Sequence, residues 1–91
     1  MDKILIIDDD PILFEGHKRL LTSSGYWVEN VVSGEAGVAA AKRIHPHLIL
    51  LDILLPDMDG FEVCRRIRSE IKEITPYILM ISACMTEPKN L

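Results

Sequence analysis

Short apolar runs alternate with amphipathic stretches along the whole chain. Residues 4–7, 47–51 and 77–81 are almost uninterrupted apolar runs and lack the alternation of a half-buried strand. Such runs are typical of parallel strands that are covered on both faces. Residues 26–32 are more mixed, with a glutamate and an asparagine among them, and this composition favours a strand at the edge of the sheet.

Three helical patterns lie between these strands. In the first, Asp10 fits the N-cap, a proline follows at the first helical position, and Gly25 fits the stop. The second begins at Ser33 as N-cap and must end before Pro46, and the third covers about residues 58–72. The resulting order, β-α-β-α-β-α-β, predicts an α/β fold with a parallel sheet and helices on both faces.

Composition limits the classes of protein that fit. A chain of 91 residues, 48% apolar and 26% charged, allows one small folded domain over residues 1–91. A net charge of −4 argues against direct nucleic-acid binding, and no apolar run approaches a membrane span. No signal peptide precedes the first strand, so we expect a cytoplasmic protein whose two cysteines are reduced thiols.

Acidic residues follow two of the predicted strands. Asp8, Asp9 and Asp10 come directly after the first strand, Asp52 ends the third, and Ser82 follows the fourth. The carboxyl ends of parallel strands lie at one edge of the sheet, where ligands bind. Carboxylates that meet there without compensation raise one another's pKa values, whereas Mg²⁺ prefers such oxygen ligands. The pattern therefore predicts a cation site, with helix capping as the alternative that we favour for Asp10 alone.

The segment LLDILLPDMDGFEV surrounds Asp52. Pro56 and Gly60 shape the loop that follows the buried strand. A carboxylate exposed on such a loop beside a metal ion is suited to act as a nucleophile toward a phosphoryl group. A simple turn residue at the strand end is the alternative interpretation.

Together these segments resemble the receiver domain of two-component response regulators. The resemblance rests on Asp8-Asp9 after the first strand, on LLDILLPDMDG around Asp52, and on PYILMISA, which ends in Ser82-Ala83. It covers essentially all 91 residues in the family's order. It implies a flavodoxin-like, doubly wound parallel sheet with the strand order 2-1-3-4, to which the family adds a fifth strand.

The resemblance also implies a role for each matching residue. Asp52 would be the phosphoacceptor, Asp9 a direct ligand of Mg²⁺ (or Mn²⁺), and Asp8 a ligand acting through water. Leu54 would offer its backbone carbonyl to the metal, and Ser82 would be the switch hydroxyl that bonds the phosphoryl group. The donor would be a phosphohistidine on a sensor histidine kinase or phosphotransfer protein. The domain would assist its own phosphorylation and dephosphorylation, without being an enzyme, and would switch a partner or an output domain beyond residue 91.

One departure from the family concerns the end of the chain. The family continues through a fourth helix, a fifth strand that carries a lysine and an aromatic switch residue, and a fifth helix, whereas this sequence stops at Leu91. We interpret it as a receiver domain truncated after the fourth strand, either a fragment or an unusual short form. An uncovered fourth strand predicts a homodimer through that strand and an isolated chain that is not a stable monomer.

Two functions other than that of a phosphorylated receiver domain are compatible with parts of the sequence. An aspartate-nucleophile phosphatase needs a second acid two residues after the nucleophile, and Leu54 stands there. A non-phosphorylated, receiver-like interaction or dimerisation domain fits the absent lysine but not the acidic pair, Asp52 and Ser82. Mg²⁺-dependent labelling by a small phosphodonor separates these alternatives.

Overall fold

A computed structural model describes residues 2–72 and 76–81 of the chain. The strands pair in the order β2-β1-β3-β4, and neighbouring strands of this sheet are parallel, which confirms the predicted fold class and order. Within the described ranges, no helix has both the length and the apolar character needed to cross a membrane. The elements along the chain are β1 (Lys3–Ile7), α1 (Pro11–Ser23), β2 (Trp27–Val31), α2 (Gly34–Ile44), β3 (Leu48–Asp52), α3 (Gly60–Glu70) and β4 (Tyr77–Ile81).

Side-chain caps set where the helices begin. The Asp10 carboxylate accepts a hydrogen bond from the Ile12 N–H at 3.0 Å, and the Ser33 hydroxyl accepts from the Ala36 N–H at 3.2 Å. Both predicted caps are therefore confirmed. Helix α3 is two residues shorter at each end than the predicted range 58–72, since Asp59 is its N-cap.

Helices α2 and α3 cover one face of the sheet. Gly37 allows close packing there, because a Cβ atom at this position would lie 2.5 Å from Ile7 Cδ1. The buried side chains of this layer form one apolar core, in which hydrophobic burial supplies the main stabilisation. They include Leu5, Ile7, Val38, Ala41, Ile44, Ile49, Leu51, Val63 and Ile67.

The opposite face of the sheet is covered unevenly. Ile4 and Ile6 in the central strand β1 are buried, whereas Tyr77 and Leu79 in β4 are 82% and 54% exposed. The prediction that residues 77–81 are covered on both faces is therefore wrong for this face, where β4 is the outermost strand of the described sheet. The predicted edge position of β2 is confirmed.

Candidate functional site

Three carboxylates meet at the carboxyl edge of the sheet. Strands β1 and β3 are neighbours, with Ile7 opposite Leu51, so the residues that follow Ile7 lie beside the end of β3. One oxygen each from Asp8, Asp9 and Asp52 lies within 4.8 Å of the other two. Of the four acidic side chains that the sequence places at this edge, the structure brings these three together, whereas the Asp10 carboxylate caps α1. Such a set of oxygens suits a hard divalent cation.

Asp8 is the buried member of this cluster. It is only 1% exposed, and its Oδ1 accepts a hydrogen bond from the Asp10 N–H at 2.9 Å. Its Oδ2 is buried and has no hydrogen-bond partner within residues 2–72 and 76–81. Burial raises the pKa of the Asp8 carboxyl above its ordinary value; the Asp10 N–H opposes this shift, and the negative charges of Asp52, Asp10 and Asp9 add to it. An unpartnered buried oxygen among other carboxylates fits a site that compensates its charge with a cation.

Asp52 is half-buried at the end of β3. Its Oδ1 accepts a hydrogen bond from the Leu54 N–H at 3.2 Å, and no residue in the described part of the chain donates to its Oδ2. One oxygen is thus oriented by the backbone, and the other is left for a ligand or an electrophile. The Leu54 side chain is 57% exposed. Its packing therefore places no constraint on a role for the Leu54 backbone carbonyl at the site.

The loop after Asp52 folds back onto the end of its own strand. The Gly60 N–H donates to the Ile53 carbonyl at 2.7 Å, and Leu54 and Asp59 form an isolated antiparallel bridge. A Cβ atom at Gly60 would lie 2.8 Å from the Asp52 carbonyl oxygen, which is backbone and has no freedom to rotate away. Glycine is therefore required at this position for the loop to close against β3.

Asp57 is a residue of this region that the sequence interpretation missed. Its two carboxylate oxygens accept hydrogen bonds from the Gly34 N–H at 2.7 Å and the Glu35 N–H at 2.9 Å, at the beginning of α2. These two bonds lower the pKa of the Asp57 carboxyl from its ordinary value. Unpaired N–H groups at a predicted helix start were the available signal, but nothing local identifies a partner so distant in sequence.

Other predicted residues lie away from this cluster or outside the description. Ser82 and Ala83 lie outside the described residues, as does Cys84. Cys64 is a free thiol. Lys3 is at the opposite edge of the sheet, where its Nζ donates to the Ile44 carbonyl at 3.2 Å.

The sequence also matches characterised proteins. A sequence model of the response regulator receiver domain matches residues 4–90. The chain is 42% identical over 83 residues to the DNA-binding dual master transcriptional regulator RpaA of Synechocystis, covering 91% of this chain and 34% of RpaA. It is 44% identical over 68 residues to the transcriptional regulatory protein AfsQ1 of Streptomyces coelicolor, covering 75% of this chain and 30% of AfsQ1. The chain thus spans about a third of the length of these relatives.

Solved structures share this fold. A CheY-like response regulator receiver domain from Methylobacillus flagellatus superimposes with a TM-score of 0.84 at 26% identity, covering 90% of this chain and 70% of that one. The BeF3-activated N-terminal receiver domain of RstA from Klebsiella pneumoniae gives a TM-score of 0.79 at 28% identity, covering 90% and 68%. On the family match, the sequence relatives and the fold, this chain belongs to the response regulator receiver domain family.

Proposed function

We propose that Asp52 accepts a phosphoryl group in a Mg²⁺-dependent reaction. The observation that carries this proposal is the meeting of three carboxylate oxygens within 4.8 Å, one of them from Asp52 at the end of a strand. The second Asp52 oxygen has no donor among the described residues, which leaves it accessible for chemistry. A sensor histidine kinase or a phosphotransfer protein supplies the group from a phosphohistidine.

The reaction is a transfer between two nucleophiles. An Asp52 oxygen attacks the phosphorus and forms an acyl phosphate. The bond between phosphorus and the donor imidazole nitrogen breaks, and that nitrogen keeps the electron pair. Attack by an anion on an anionic phosphoryl group is opposed by charge repulsion, so the site needs positive charge at the reacting oxygens.

Asp9, Asp52 and the Leu54 carbonyl would hold the Mg²⁺ or Mn²⁺ ion, with Asp8 acting through a water molecule. Bound there, the ion would supply the positive charge that offsets the repulsion between the carboxylates and the incoming phosphoryl group. The burial of Asp8, its unpartnered Oδ2 and its raised pKa support this assignment. The Ser82 hydroxyl would bond the phosphoryl group once it is attached.

Phosphorylation of Asp52 implies a partner that responds to it. Relatives that match this chain are named as DNA-binding or transcriptional regulators. We therefore propose that phosphorylation of Asp52 switches an output domain. The added charge, about −1.5 to −2, biases the domain only if its two conformations differ in their interaction with the phosphoryl group.

A second copy of the chain is the further partner that we propose. Strand β4 is outermost in the described sheet, and it exposes Tyr77 and Leu79 on one face. An apolar outer strand is a template for pairing with another strand. Pairing between two β4 strands would satisfy the backbone N–H and C=O groups of this edge and place the exposed side chains of the two copies next to one another in a homodimer.

Intact-mass measurement tests the phosphoacceptor assignment. The protein is treated with acetyl phosphate in the presence of Mg²⁺ or of EDTA. We expect the added mass of one phosphoryl group with Mg²⁺ only, and its loss in Asp52→Asn. Asp2→Asn is the matched control, since Asp2 is exposed at the opposite edge of the sheet and carries the same charge change. Undiminished labelling of Asp52→Asn would contradict the assignment.

A further inference from the structure

We infer that Asp57 is a positioning residue for the metal and phosphoryl site: its carboxylate fastens the β3–α3 loop to the beginning of α2 and thereby holds the Leu54 carbonyl beside Asp52. This inference rests on the proposed function, because it concerns the same site. Asp57 itself would touch neither the metal ion nor the phosphoryl group. Its effect would pass through the backbone of the loop.

The loop tip contacts α2 in two ways. The Asp57 carboxylate binds two consecutive backbone N–H groups, those of Gly34 and Glu35, at 2.7 and 2.9 Å. The neighbouring Met58 side chain lies over Gly34, where a Cβ atom would collide with it. The loop tip thus packs against α2 at Gly34.

The loop base is fastened separately to the end of β3. The bond from the Gly60 N–H to the Ile53 carbonyl and the bridge between Leu54 and Asp59 close it. Leu54 therefore lies between a base anchored on the strand and a tip anchored on the helix. Releasing the tip removes one of the two anchors that fix the direction of the Leu54 carbonyl, and the base bonds, left alone, open more often.

The position of Asp57 indicates that it orders the loop rather than stabilising the domain as a whole. Asp57 is exposed and buries no apolar surface in the core. The helix start has its own cap, because the Ser33 hydroxyl accepts from the Ala36 N–H. The lowered pKa of Asp57 has the same two N–H groups as its largest causes, which supports an ionised carboxylate held in this geometry. Removing this carboxylate should therefore affect the loop more than the fold.

Two measurements on the full-length protein test the inference. The Mg²⁺ dissociation constant is measured by titration calorimetry for wild type, Asp57→Ala and Asp57→Asn, at a temperature where circular dichroism shows each to be folded. Changes in residues that orient metal ligands typically weaken binding ~10–100-fold. Because Asp57 acts through an exposed loop, we expect roughly a 3- to 10-fold increase for Asp57→Ala. Asp57→Asn, which retains one acceptor oxygen, should lie between Asp57→Ala and wild type, and Asp2→Asn should equal wild type.

Amide hydrogen exchange in metal-free protein gives the second readout. The Gly60 amide, which closes the loop base, should exchange faster in Asp57→Ala, whereas core amides of β1 should not change. Unchanged Mg²⁺ affinity in folded Asp57→Ala would overturn the inference, even with a lower melting temperature, because the role would then be structural. If Asp57→Ala does not fold, the same criterion applies to Asp57→Asn. A wild type without Mg²⁺ binding would instead contradict the proposed function, and this inference with it.

Discussion

Asp8→Asn should stabilise the metal-free protein. The substitution replaces a buried carboxylate by an uncharged group of the same shape. The amide oxygen still accepts the Asp10 N–H, which bonds Asp8 Oδ1 at 2.9 Å. What disappears is the cost of burying the Asp8 charge, together with its repulsion by the neighbouring carboxylates, among them Asp9 and Asp52.

The separation of the oxygens sets the size of this effect. Each pair among Asp8, Asp9 and Asp52 has oxygens no more than 4.8 Å apart. At that distance the repulsion of one pair is about 0.9 kcal/mol in bulk water and about 3.5 kcal/mol at an effective dielectric constant near 20. Asp9 is exposed and Asp52 half-buried, so screening by water is substantial. Summing two pairs at the lower value, we expect the free energy of unfolding to rise by about 2 kcal/mol.

Urea unfolding in EDTA at pH 7.5 measures this change, with Trp27, the single tryptophan of the chain, as the fluorescence reporter. Wild type, Asp8→Asn and the control Asp2→Asn are compared with and without Mg²⁺. The advantage of Asp8→Asn should appear in EDTA and shrink in Mg²⁺, since the ion stabilises wild type. A variant that is no more stable than wild type in EDTA would refute the reasoning, because the carboxylate cluster would then impose no cost.

Further predictions concern the metal, pH and the outer strand. Mg²⁺ at a hundred times its dissociation constant should raise the free energy of unfolding of wild type by about 2.7 kcal/mol, and Asp9→Ala should lose this gain in the same urea titration. The pKa of Asp57 is lowered from 3.8, so its contribution to stability is present above that value and lost as the pH falls through the folded-state pKa. Wild type should therefore exceed Asp57→Asn in stability at pH 7, and this difference should shrink as the pH falls below 3.8. Sedimentation of residues 1–91 at micromolar concentration should show dimers or larger species, which Leu79→Lys reduces; a cooperative monomer would contradict pairing through β4.

Most strands and two helix starts could be predicted because the residues that determine them lie within each element or directly beside it. Apolar runs located the strands to within one residue at each end, and capping side chains at Asp10 and Ser33 marked two helix starts. The meeting of Asp8 and Asp52 followed from parallel topology, since strand ends share an edge.

Two features were beyond such reasoning. An apolar run does not identify the elements that cover it: the run at residues 77–81 predicts cover on both faces, and only the departure from the family predicts an uncovered fourth strand, whose Tyr77 and Leu79 are exposed. The hydrogen bonds of Asp57 join a loop to a helix start 22 and 23 positions earlier in the chain, and no local periodicity encodes that pairing. Both depend on tertiary packing, which determines the final neighbours of a residue.

Gly60 has a consequence for how this domain tolerates mutation. The space for a Cβ atom there is taken by the Asp52 carbonyl oxygen, at 2.8 Å, so any other residue has to displace the backbone of Asp52 itself. In a saturation-mutagenesis screen scored by phosphorylation, position 60 should therefore be as intolerant as position 52. A ranking of positions by such a screen would place a residue without any functional group among those that carry the chemistry, because its contribution is the absence of a side chain.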